Sequence, residues 1–108
     1  MKLPFQNNLV IDDNKISNYL LDVLHPSGKD KAEFFISHKC TVELLKELLL
    51  KQASDENYSQ KIITPFGEKY ILESIVLLPD LTPFNLRSVW IVRINENFTN
   101  FVTAYPVK

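Results

Sequence analysis

At Ser54-Asp55-Glu56-Asn57 the apolar spacing of this chain changes period, and that change limits its architecture more than any other feature. Before it, Val42, Leu45, Leu48 and Leu49 recur at helical spacing behind Thr41, a capping residue type. Glu43, Lys46, Glu47 and Lys51 fall on the other side of the same helix, where Glu47 and Lys51 form a favourable i,i+4 pair. After it, apolar and polar residues alternate as they do in strands. Helices first and strands afterwards predict an α+β fold, with N-terminal helices packed on one face of a roughly four-stranded antiparallel sheet.

Two further helices precede the one at Thr41. Asp12 or Asp13 can cap a helix over residues 13–24, whose Ile16, Tyr19, Leu20, Val23 and Leu24 share a face. Pro26 ends it, because a proline disfavours helical backbone in the residue before it. Ser27 and Asp30 have the spacing of a capping box and restart the chain as a helix over residues 28–37, burying Ala32, Phe35 and Ile36. Residues 3–11 read as an irregular lead-in, with Leu9, Val10 and Ile11 as a short extended piece.

Four strands follow. Gln60–Thr64 is the first, and Pro65-Phe66-Gly67 supplies its turn. Residues 69–78 are the longest, with Ile71, Ile75 and Leu77 on one face beside Lys69 and Glu73. Pro79 to Asn85 reads as loop by composition. Residues 87–94 and 101–105 are the last two, separated by Asn95-Glu96-Asn97, and Pro106 ends the second of them.

The chain of 108 residues is expected to form a single domain, 1–108. Cys40 is the only cysteine, so no internal disulfide can form, which fits a reducing cytoplasm. No signal peptide is visible, and no apolar run approaches the ~20 residues that cross a bilayer. Two histidines and one cysteine cannot complete a typical structural zinc site without carboxylates, and no metal or other cofactor is expected. GxGxxG, P-loop, HExxH, paired CxxC and GxSxG patterns are all missing, which argues against dinucleotide enzymes, P-loop ATPases and zincins. With a net charge of −1, any binding of nucleic acid must come from a local patch.

Residues 24–32 are a candidate for such a patch. His25, Lys29 and Lys31 surround the restart of a helix, whose first N–H groups and partial positive charge favour an anion. His25 titrates near neutrality and can serve as general base or acid. A plainer reading has His25 capping the preceding helix and both lysines merely solvated. In the third strand Arg87, Val89, Ile91 and Arg93 alternate with Ser88, Trp90 and Val92. In the last, Phe101, Thr103 and Tyr105 share a face against Val102 and Ala104. Either Arg87 with Arg93 or Ser88 with Trp90 can therefore lie beside Thr103 and Tyr105, and the register decides which. The plainer readings are a core aromatic for Trp90 and ordinary strand propensity for Thr103 and Tyr105.

A resemblance emerges from these residues. Leu20-Leu21, His25-Pro26-x-Gly28-x-x-Lys31-Ala32-x-x-Phe35, Phe66-Gly67-x-Lys69-Tyr70, Val89-Trp90-Ile91-Val92 and Val102-Thr103-Ala104-Tyr105-Pro106 together resemble a bacterial domain of unknown function. That domain occurs alone in small operons and at the ends of larger, toxin-like proteins, and the likeness runs over about residues 2–107. More loosely, helices followed by an antiparallel sheet with a late Thr-x-Tyr strand are similar to the barnase–EndoU–colicin–RelE group of ribonuclease toxins. This resemblance implies a metal-independent ribonuclease, with RNA as substrate and a cognate antitoxin or immunity protein as partner. It implies His25 as base or acid, Lys29 or Lys31 and Arg87 as phosphate ligands, and Thr103 and Tyr105 as positioning groups. Ser88 and Trp90 would be substrate-binding, an aromatic such as Trp90 or Tyr105 stacking a base. The alternative is a non-catalytic interaction module, an antitoxin or immunity protein. A binder of small phosphate-bearing molecules is a third use of the same cationic turn.

Overall fold

The computed structural model describes residues 1–12, 41–78 and 80–107. The expected helices over 13–24 and 28–37 lie outside the described residues, and so do His25, Lys29 and Lys31. The described elements are β1 (Leu9–Val10), α1 (Val42–Asp55), β2 (Gln60–Thr64), β3 (Gly67–Leu77), β4 (Pro83–Arg93) and β5 (Thr99–Val107).

The strands form one five-stranded sheet in the order β1-β5-β4-β3-β2. From β2 to β5 it is an antiparallel meander. β1 then joins the outer side of β5 in parallel, pairing Leu9 with Thr99 and Val10 with Asn100. This corrects the expected α+β arrangement of N-terminal helices on a four-stranded antiparallel sheet. The sheet is five-stranded and mixed, strands dominate, and the described residues contain one helix. The short extended piece expected at Leu9, Val10 and Ile11 contains this strand, but two residues have no readable period and the partner lies far along the sequence, so its pairing is not legible locally.

The residues of α1 explain both its start and its docking. Thr41 is the N-cap, and its Oγ1 accepts the Leu44 N–H at 3.2 Å. Leu45, Leu49, Gln52 and Ala53 recur on one face and are buried. Leu45, Leu49 and Ala53 join Tyr70 and Leu72 of β3, Leu86 and Trp90 of β4, and Phe101 and Ala104 of β5 in a single core. Each leucine buried this way contributes roughly 1.5–3 kcal/mol.

Three local details shape the sheet. Gly67 opens β3 at φ +147°, and a Cβ there would lie 2.2 Å from the carbonyl oxygen of Val92, so only glycine fits. β3 and β4 pair without interruption from Gly67 opposite Arg93 to Leu77 opposite Pro83. The segment expected to be loop up to Asn85 therefore ends at Thr82, whose carbonyl accepts the Leu78 N–H at 3.0 Å. Pro83 is accommodated because it is the first residue of its strand. Finally, Val89 pairs with Thr103 while Trp90 pairs with Phe101, which leaves Val102 as the extra residue of a bulge.

The bulge overturns one expectation. Phe101 does not share a face with Thr103 and Tyr105: the extra residue turns it to the α1 side, edge-on to Trp90 at 5.5 Å between ring centroids. Pro106 does not end β5 either. The strand runs on to Val107, beyond the short stretch where β1 pairs with it, so no ladder bond on that side is lost.

Candidate functional site

The register places polar side chains on both faces of β4, and the two sets behave differently. Facing α1, Ser88 and Trp90 are 0% exposed. The Trp90 indole N–H donates to Ser88 Oγ at 3.0 Å, and Ser88 donates to Gln52 Oε1 at 2.7 Å. The Gln52 amide donates in turn to Ser74 Oγ and to the Leu86 carbonyl, each at 2.9 Å. No buried side-chain nitrogen or oxygen among the described residues lacks a hydrogen-bond partner. Ser88 and Trp90, read from sequence as substrate-binding, thus sit in the core and tie α1 to the sheet; a substrate on the surface does not reach them.

On the far face the register brings Arg87 opposite Tyr105 on one side and opposite Glu73 on the other. Of the two pairings open at the level of sequence, the structure has Arg87 beside Tyr105 and Val89 beside Thr103. Arg87 Nε and Nη2 donate to Glu73 Oε2 at 3.0 and 2.8 Å. Its Nη1 lies 3.4 Å from the Tyr105 hydroxyl oxygen, and its guanidinium carbon is 5.7 Å from the Tyr105 ring centroid. Asn85 Nδ2 donates to the other Glu73 oxygen at 2.9 Å. The result is a polar lane across three strands, Asn85 and Arg87 both converging on Glu73 and Arg87 reaching on to Tyr105.

Electrostatics follow from that lane. Hydrogen bonds from Arg87, then from Asn85, hold the Glu73 carboxyl below its ordinary value of 4.5. Arg87 is raised in turn by its hydrogen bonds to Tyr105 and Glu73, so both ends of the pair are charged at neutral pH. Their side chains are 35% and 29% exposed, so water and solutes reach the pair. An arginine edge in this setting can hold a phosphate or carboxylate bidentately.

The other candidate on this face is separate. Arg93 is exposed near the opposite end of β4, within 3.8 Å of Glu96, and does not join the lane. Of the residues expected to act together, the structure unites Arg87 and Tyr105, with Thr103 next on the same face of β5. His25, Lys29 and Lys31 lie outside the described residues. Glu73 and Asn85 were not singled out in the sequence. The alternation of β3 set Glu73 beside Lys69, but only the β3–β4 register shows that it meets Arg87. Among the described residues no group of three or more His, Cys, Asp or Glu side chains could hold a metal ion. None of their helices is long and apolar enough to cross a membrane.

The family model for a "Domain of unknown function (DUF6883)" matches residues 2–108. The chain belongs to this family. The sequence resemblance to a domain of unknown function therefore holds over nearly the whole length of this DUF6883 chain. Among curated proteins no match is found. Among solved structures it is similar to a chain of a contact-dependent growth inhibition toxin–immunity protein complex from Klebsiella pneumoniae 342, with a TM-score of 0.74 and 18% identity. The likeness covers 91% of this chain and 99% of that one, and at such identity it is a likeness of fold.

Proposed function

We propose that this DUF6883 chain is the toxin half of a toxin–immunity or toxin–antitoxin pair, and that it cleaves RNA without a metal. The observation that carries the reading is the register that gathers Arg87, Thr103 and Tyr105 on one solvent-reachable face of the sheet. The fold it shares with a chain of a toxin–immunity complex supports a cognate protein partner.

In this reading the chain works as the barnase–EndoU–colicin–RelE toxins do. The ribose 2′-oxygen attacks the adjacent phosphorus as a base takes its proton. The bond from phosphorus to the 5′-oxygen breaks, a 2′,3′-cyclic phosphate forms, and an acid protonates the leaving oxygen. Arg87 holds the phosphate and offsets the charge that builds on its oxygens. Thr103 and Tyr105 position it, and the Tyr105 ring offers a stacking surface for a base. His25 is assigned as base or acid, with Lys29 or Lys31 as a further phosphate ligand.

The test is incubation of the purified chain with total tRNA in EDTA, alongside induced expression in a bacterial host. Cleavage and growth arrest are expected, with Arg87→Ala losing on the order of 100-fold in rate. Intact RNA from folded protein, together with harmless expression, overturns the reading. A second reading, a non-catalytic immunity or antitoxin module, draws support from one observation: Glu73 already balances the charge of Arg87. It predicts a stable complex with the product of a neighbouring gene that survives both His25→Ala and Arg87→Ala.

A further inference from the structure

We infer that Glu73 is a positioning residue: with Asn85 behind it, its carboxylate sets the plane of the Arg87 guanidinium so that the Nη1–Nη2 edge meets an RNA phosphate beside Tyr105. The inference rests on the ribonuclease reading for its ligand, and on hydrogen-bond geometry for the rest.

A guanidinium has two edges that offer paired donors, Nε with Nη2 and Nη1 with Nη2. Glu73 Oε2 takes the first edge, at 3.0 Å from Nε and 2.8 Å from Nη2. The bond to Nε is the informative one. Nε lies at the root of the guanidinium, and an acceptor can meet Nε and Nη2 together only along one side of the plane. The second edge therefore points away from Glu73, and its Nη1 lies 3.4 Å from the Tyr105 hydroxyl. That edge matches two oxygens of a phosphodiester, and a long flexible side chain so held loses less freedom when the ligand arrives.

Glu73 is itself held. Asn85 Nδ2 donates to Oε1 at 2.9 Å, so the two carboxylate oxygens have different partners and the group cannot rotate without breaking a bond. Asn85 and Arg87 are successive residues on one face of β4, and Glu73 is the direct cross-strand partner of Arg87. The backbone register thus delivers all three. A carboxyl kept below its ordinary value by these bonds is also a poor proton acceptor at neutral pH, which separates Glu73 from the role of general base.

The charge of Glu73 works against an incoming anion, so positioning and repulsion predict opposite outcomes when it is removed. The experiment compares the full chain with Glu73→Ala, Glu73→Gln, Asn85→Ala and Arg87→Ala. Binding is read with a short 2′-O-methyl oligoribonucleotide, which cannot be cleaved, cleavage is read with total tRNA, and the Arg87 Nε–H resonance by NMR. Glu73→Ala is expected to weaken binding on the order of tenfold and to raise KM more than it lowers kcat. Glu73→Gln, whose carbonyl still accepts from Arg87, recovers most of the loss, and Asn85→Ala shifts binding in the same direction by less. The Arg87 Nε–H signal is sharp and slow to exchange in the parent chain and Glu73→Gln, and broadened in Glu73→Ala, with melting only slightly lowered.

Binding by Glu73→Ala equal to or tighter than that of the parent overturns the inference. So does an Nε–H signal indifferent to Glu73. If the parent chain binds no oligoribonucleotide while the Nε–H signal follows Glu73 as described, the positioning of Arg87 stands and the RNA reading fails.

Discussion

The two faces of β4 carry polar chains of similar extent and opposite character. Toward α1, Trp90, Ser88 and Gln52 are neutral, buried and mutually satisfied, with half-buried Ser74 at the end of the chain. On the far face, Asn85, Glu73, Arg87 and Tyr105 include two full charges and keep contact with water. Neutral groups tolerate burial when every donor and acceptor is matched, and they then favour one packing of helix on sheet. Charged groups would cost several kcal/mol each in the same place, so they belong where solvent and ligands can reach them. One strand therefore serves cohesion with its even-numbered residues near the centre and recognition with Asn85 and Arg87.

The sharpest way to break that division is to remove Trp90. Trp90→Ala is expected to cost about 3–5 kcal/mol in urea unfolding, through the cavity and the lost contact with Phe101. Gln52→Ala keeps the helix former but strands Ser88, Ser74 and the Leu86 carbonyl, and about 1–3 kcal/mol should be lost for a group left unsatisfied. Thr41→Ala removes the cap of α1, and about 1 kcal/mol is expected from the same measurement.

The charged residues should show themselves in pH dependence. Tyr70 is raised well above its ordinary value of 10.0, chiefly by burial and then by its hydrogen bond to Glu68 at 2.6 Å. A raised phenol contributes stability below the unfolded value that is lost as pH climbs past 10.0, and Tyr70→Phe should flatten this alkaline limb of the melting curve. Glu73 is lowered, so its contribution is present above 4.5 and is lost as pH falls toward its folded value; Glu73→Gln should flatten the acid limb. Smallest of all is the effect of Arg87→Gln on melting at neutral pH. Only a small loss is expected there, that of one ion pair reached by solvent, while RNA cleavage falls steeply. A large loss of stability in Arg87→Gln would mean that the far face is structural too.

Much of this could be read from residues, and the exceptions share a cause. The spacing of Val42, Leu45, Leu48 and Leu49 behind Thr41 marks α1, and alternation marks β2 to β5 to within a few residues, because both signals are local. Proline was the misleading signal. Pro83 and Pro106 suggest loop and strand end, yet one begins a strand and the other lies where no ladder bond is required. The rest depends on pairing. That Glu73 meets Arg87, that Tyr105 lies beside them, and that Val102 bulges to turn Phe101 inward are statements about register, which no single strand contains. The surplus strand β1 is the extreme case, a pairing between the two ends of the chain.

That end-to-end pairing bears on when the protein can exist. β5 lies between β4 and β1, and Thr99 holds the start of the chain through its N–H to Asn8 and its hydroxyl to Pro4. Until the ribosome has released residues 99–107, β4 has an open edge, Trp90 lacks Phe101, and β1 has nothing to pair with. The far-face cluster also lacks Tyr105 until then. Folding and completion of the site thus both wait on residues 99–107, so neither can precede the emergence of this one strand.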